Sequence, residues 1–120
     1  MITVKATREG LLGGKTSTGY IVDKFVPFVA LPCADALDEV VRIINPLTGK
    51  CVLALVMDVG PFNVNDQAYV FHGARPQAES GISVSGHGTN GAGIDLGEFV
   101  WNKLGMKDNT SVSWEFISCL

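Results

Sequence analysis

Two apolar runs joined by a short polar turn constrain this chain more than any other feature. Val40-Val-Arg-Ile-Ile44 and Lys50 to Val59 are rich in branched aliphatic residues, and Asn45-Pro-Leu-Thr-Gly49 between them has the composition of a tight connection. The pattern predicts a β-hairpin whose second strand is closed by Gly60-Pro61. Around it lie further extended segments. Ile2 to Thr7 alternates apolar and polar residues, and Thr110 to Ile117 sets Val112, Trp114 and Phe116 against Ser111, Ser113 and Glu115. Tyr20 to Leu31 is rich in Val, Phe and Ile, with Pro27 and Pro32 limiting how it can pair. Fourteen glycines, most of them between these segments, add frequent turns. The whole reads as a mainly β fold of one domain spanning residues 1–120.

Two stretches depart from that pattern. From Phe62 to Ala92 the chain is polar, Gly-rich and weakly periodic, which reads as a long inserted loop with a functional role. Leu96, Phe99, Val100 and Leu104 then fall at helical spacing before Gly105, with Asp95 where an N-cap belongs.

The charge balance narrows the partners. A net charge of -3 without a Lys or Arg cluster lacks the basic face that nucleic acid or an anionic membrane surface requires. The longest apolar run, Cys51 to Met57, is too short to span a bilayer. Met1-Ile-Thr-Val-Lys5 has neither the positive region nor the apolar core of a signal peptide, so a place in the cell envelope or outside the cell requires another export route or a removed leader. Cys33, Cys51 and Cys119 make an odd count, compatible with one disulfide or with three thiols; Cys51, within an apolar strand, reads as a small core residue. Neither a cofactor nor a metal is expected. No CxxC spacing occurs, and His72 and His87 lack the short paired spacing of common zinc sites. Gly91-Ala-Gly93 is not followed by the Gly-Lys-Ser/Thr of a phosphate loop.

Two carboxylates carry the candidate chemistry. Asp58 ends the apolar run in Val56-Met-Asp-Val-Gly-Pro61, and Asp95 lies in Gly91-Ala-Gly-Ile-Asp-Leu-Gly97. A regular element delivering an Asp among glycines gives a rigid mount and lets a substrate approach the backbone. Both positions also have plainer readings, Asp95 as a helix cap and Asp58 as a turn-stabilising residue. Cys33, after Leu31-Pro32, has no base near it in sequence to make it a nucleophile. Trp101 and Trp114 sit at positions that suit packing better than sugar stacking.

Several of these segments, in the same order, resemble the double-psi β-barrel family of expansins, rare lipoprotein A and membrane-bound lytic transglycosylase A. Lys50 to Pro61 is similar to the strand of rare lipoprotein A domains that ends in Asp-Arg-Gly-Pro, with Val59 in place of the Arg. Gly93-Ile-Asp-Leu96 and the helix ending at Leu104-Gly105 resemble the Ile-Asp-Leu-Ser segment and its helix. Gly14-Lys-Thr-Ser-Thr-Gly19 resembles the early Gly-x-x-Thr-Ala-x-Gly loop, Ala30-Leu-Pro32 the Leu-Pro stretch, and Val112 to Phe116 the last barrel strand of expansins.

The resemblance implies a six-stranded double-psi barrel with one or two short helices, an open polysaccharide groove and a long insert at about residues 62–92. It implies Asp95 as the essential carboxylate, Asp58 beside it, and Thr7 lining the same groove. Thr16 in the early loop, and His72, Arg75, His87 and Asn90 in the insert, are the further candidates for substrate contact. The implied partner is peptidoglycan or a related polysaccharide. The implied activity is lytic transglycosylase-like cleavage, in which Asp95 protonates the leaving oxygen and the sugar's own 6-hydroxyl closes an anhydro ring. The alternatives are a noncatalytic, expansin-like polysaccharide-binding module and an assembly domain that kept the barrel without the chemistry.

Overall fold

The hairpin at the centre of the sequence forms as its residues predict. In a computed structural model, which describes residues 1–10 and 12–117, β3 (Val40–Ile44) pairs antiparallel with β4 (Cys51–Val59) from Val40 opposite Leu55 to Ile44 opposite Cys51. Asn45 makes the turn compact. Its side chain accepts from the Leu47 N–H and donates to the carbonyl of Leu104 at 2.9 Å, tying the connection to the end of the later helix.

Four more strands complete the barrel: β1 (Ile2–Arg8), β2 (Phe28–Leu31), β5 (Ile94–Leu96) and β6 (Ser111–Phe116). The order round the closed barrel is β1-β5-β2-β4-β3-β6. β6 bridges β1 and β3 antiparallel, whereas β1–β5 and β2–β4 are parallel. Closure leaves every strand with two neighbours and removes exposed sheet edges. The interior is filled by alternate residues: Val4 and Ala6, Val29 and Leu31, Val41 and Ile43, Ala54 and Val56, Ile94 and Leu96, Val112 and Trp114. The fold is the mainly β double-psi barrel that the resemblance implied, with two short helices, α1 (Gln67–His72) and α2 (Glu98–Lys103).

Three local expectations are corrected. The strand within Tyr20 to Leu31 is confined to Phe28–Leu31, directly after Pro27. Cys51 is exposed rather than a core residue, because only alternate side chains of β4 enter the barrel and Cys51 and Leu53 are on the outer side. Cys33 is the buried thiol, and Cys119 lies outside the described residues. The second helix begins at Glu98 with Gly97 at its N-cap, so Asp95 caps nothing; β1 and β2 flank residues 94–96 and draw them into the sheet.

The insert from Phe62 to Ala92 is more ordered than its sequence suggests. Asp66 caps α1 by accepting from the Tyr69 N–H, and Gly73 ends the helix with a left-handed φ of 77°. A 3-10 turn follows at Gln77–Ser80. Tyr69 anchors the insert to the barrel: its hydroxyl donates to the carbonyl of Gly93 and accepts from the Trp114 indole N–H, both at 2.8 Å. Trp114 and Trp101 are both buried, which accounts for them as core residues. Among the described residues, no helix is long and apolar enough to cross a membrane.

Candidate functional site

The barrel brings Thr7, Asp95 and Asp58 into one row. Thr7 on β1 is opposite Asp95 on β5, Asp95 is opposite Ala30 on β2, and Ala30 is opposite Asp58 on β4. Partners across a ladder share a face, so the four residues cross four adjacent strands side by side. That face is the outer one. Ile94 and Leu96 on either side of Asp95 are fully buried in the barrel, as are Val29 and Leu31 on either side of Ala30.

Asp58 reaches this face through an irregularity. Ala54 and Val56 point into the barrel, and strict alternation would send Asp58 inward with them. The β2–β4 register shifts between Val29, opposite Val56, and Ala30, opposite Asp58, leaving Met57 as an extra residue. The extra residue reverses the alternation and turns Asp58 outward beside Ala30.

The early glycine-rich loop is folded onto that irregularity. Gly13 and Val22, Gly14 and Val22, and Thr16 and Tyr20 are joined by backbone hydrogen bonds, making a small hairpin. At its tip, Ser17 donates to Asp58 Oδ1 twice, from its N–H at 3.0 Å and its hydroxyl at 2.8 Å. The Thr18 hydroxyl donates to the carbonyl of Met57 at 3.0 Å, and the Val59 N–H adds a third donor to Asp58 Oδ1 at 2.9 Å. Thr16 is buried, its hydroxyl paired with that of Thr18 and accepting from the Tyr20 N–H; it supports the hairpin.

Asp95 is half-buried. Its Oδ1 accepts from the Thr7 hydroxyl. Its Oδ2 is 3.7 Å from the position a Cβ on Gly60 would take, and Gly60 holds a φ of +145° that a side chain would strain. Burial raises the proton affinity of Asp95 most; the Thr7 hydrogen bond opposes this, and the negative charge of Asp58 adds to it.

A third carboxyl belongs to the group and was missed in the sequence. Glu9 lies just past the end of β1, its N–H bonded to the carbonyl of Leu96 at 2.8 Å, and it is only 8% exposed. It faces Asp95 and is within hydrogen-bonding reach of Asp58. Burial first, then the charges of Asp95 and Asp58, push its carboxyl up to about 7. The one available signal was its position two residues after Thr7, which places both on one face of an extended chain. Among the described residues, no three His, Cys, Asp or Glu side chains are arranged to hold a metal ion.

The other sequence candidates lie in the insert. His72 ends α1, and Arg75 forms a two-pronged pair with Glu79 at 2.9 and 2.5 Å. His87 is exposed in the bend after the 3-10 turn. The Asn90 side chain accepts from the Ala92 N–H, and its carbonyl accepts from Lys5 Nζ at 2.9 Å. None of the hydrogen bonds among the described residues joins these four side chains to Asp58 or Asp95.

The closed six-strand topology is that of a double-psi β-barrel. Within that class the chain belongs to the family described as a domain of unknown function (DUF8814), whose model matches residues 1–115. No curated protein matches it in sequence. Among solved structures it is similar to cerato-platanin 3 from M. perniciosa, with a TM-score of 0.54 and 10% sequence identity, over 98% of this chain and 95% of that one. At that identity the likeness is one of fold.

Proposed function

We propose that the protein is a polysaccharide-binding module of the expansin-like kind, with the Thr7–Asp95–Asp58 row as its contact with sugar hydroxyls. The observation that carries this reading is the row itself: a hydroxyl and two carboxylates, the carboxylates on either side of Ala30, on the outer face of a closed barrel. Carboxylates accept strong, charge-assisted hydrogen bonds from neutral hydroxyl donors, which a glycan chain presents along its length. Rigid backing supports it further. Asp58 is fixed by three donors and Asp95 by Thr7, so little ordering is needed when a glycan binds. The fold shared with cerato-platanin 3 is compatible with such a surface.

One observation favours a second reading, cleavage of the glycan. Burial and Asp58 raise the proton affinity of Asp95, the condition for a general acid. Against it, the Thr7 hydroxyl donates a hydrogen bond to Asp95 and so favours the ionised carboxylate.

A single experiment separates them. Wild-type and Asp95→Asn protein are incubated with insoluble peptidoglycan, chitin and cellulose, the polymers are sedimented, and the supernatants are examined by mass spectrometry. The expected result is retention of the wild type on at least one polymer, without released fragments and weakened by the substitution. Anhydro-ended fragments from the wild type alone establish the cleavage reading. Neither retention nor released fragments on any of the polymers refutes both and points to an assembly role.

A further inference from the structure

Glu9 is buried among groups of its own sign. None of the ion pairs among the described residues includes it. The groups that face it are Asp95 from β5 and Asp58 from β4. The neighbouring cation, Arg8, is committed elsewhere: it pairs with Glu98 of α2 and lies over the Trp101 ring at 5.8 Å. The hydroxyls at the row are committed too, Thr7 to Asp95 and Ser17 to Asp58. Three carboxylates cannot all stay ionised at one partly dry place without a cation, so one of them keeps its proton. Glu9 is the most buried of the three.

We infer that Glu9 is a positioning residue that holds this proton and gates the row by pH. Protonated, Glu9 donates to Asp58 and adds to the contacts that fix it beside Ala30. When the proton passes to solvent, the bond is lost and three negative charges converge under the Ser17 loop, which loosens Asp58 and the glycan contact. The near-neutral titration of Glu9 noted above places this exchange within the range of ordinary environments. The inference rests on the polysaccharide-binding reading for its consequence, though not for the location of the proton.

Two measurements test it. Carbon-13 NMR of glutamate-labelled protein, with the Glu9 resonance identified by its absence in Glu9→Gln, follows the carboxyl between pH 4 and 9. Retention on the polymer that binds wild type is measured over the same range. If binding requires the protonated form, wild-type retention falls about tenfold from pH 6 to pH 8, while Glu9→Gln, a neutral donor at every pH, stays flat. A Glu9 carboxyl titrating in the ordinary glutamate range overturns the inference whatever the glycan result. So does wild-type retention that ignores pH. Absence of retention at every pH in both proteins, with Glu9 still titrating near neutrality, instead overturns the polysaccharide-binding reading and keeps the proton on Glu9.

Discussion

Asp58 and Asp95 share one neighbour: each is the register partner of Ala30, Asp58 across the parallel β2–β4 pairing and Asp95 across the antiparallel β2–β5 pairing. Only the register shift at Met57 makes this possible, since regular alternation would bury the Asp58 side chain in the barrel. Ser17 and Thr18 then close over the shift, one on the carboxylate and one on the Met57 carbonyl. The carboxylate spacing is therefore set by backbone hydrogen bonds rather than by flexible side chains.

The Thr7–Asp95 hydrogen bond is the direct test of the row. Thr7→Val keeps the shape of the side chain and removes the donor. Glycan retention is expected to weaken by up to about 1.5–3 kcal/mol, the ordinary worth of a hydrogen bond to a charged group. The NMR midpoint of Asp95 should move further up, because the lost bond had favoured the ionised form. An unchanged midpoint would show that the contact does not persist in solution.

Stability should fall as pH rises through neutrality. The Glu9 carboxyl is raised from 4.5 to about 7 on folding. Between those values the native state holds a proton that the unfolded chain has released. Stability from this group is therefore full below the unfolded value and lost as pH passes the folded one. Asp95, also raised, acts with the same sign. Urea unfolding at pH 5 and pH 8.5 should differ by up to about 3 kcal/mol, at about 1.4 kcal/mol per tenfold change in proton affinity. Glu9→Gln should remove most of that difference and be the more stable protein at pH 8.5.

Gly97 is required for packing. A Cβ there would lie 2.5 and 2.7 Å from the Phe28 ring and 2.8 Å from its carbonyl oxygen, between a fully buried side chain and the backbone of β2. Gly97→Ala is expected to cost about 2–3 kcal/mol in chemical denaturation, as overpacking of a tight core does. Gly10→Ala, where a Cβ meets nothing within 4 Å, is the matched control and should change stability by less than about 0.5 kcal/mol.

The hydroxyl of Tyr69 joins the insert to the barrel. Tyr69→Phe leaves the buried indole N–H of Trp114 and the carbonyl of Gly93 without this partner. A loss of about 1–3 kcal/mol in thermal or urea unfolding is expected, the penalty of stranding buried polar atoms. The insert should also exchange its amide hydrogens faster than β3 and β4 do. Equal protection of all three segments would show that the insert is held by something other than this pair of hydrogen bonds.

Local chemistry made much of the architecture readable in advance. The β3–β4 hairpin is written in two apolar runs and five turn residues, and β1 and β6 in their alternation. Asp58 and Asp95 stand out because each follows apolar residues at a strand and has glycines nearby. The errors arose where one local pattern fits two structures. Leu96 fits the apolar spacing of the helix that follows it, yet pairing with β1 and β2 places it in a strand. Cys51 begins an uninterrupted apolar run, but a strand with one face in the barrel buries only every second residue. The helix α1 hid in a polar stretch because it is only six residues long, although its caps, Asp66 and Gly73, are both present.

What the sequence determined by itself was most of the strands, the central hairpin and the two aspartates, since each depends on residues close together in the chain. What the tertiary structure decided was which distant groups share a face. Glu9 and Thr7 come from one end of the chain, Ser17 from a loop, Asp58 from the middle and Asp95 from a short strand near the other end. Their meeting depends on the closure order of the barrel and on one extra residue at Met57. A register is a relation between strands, so neither strand's sequence states it alone.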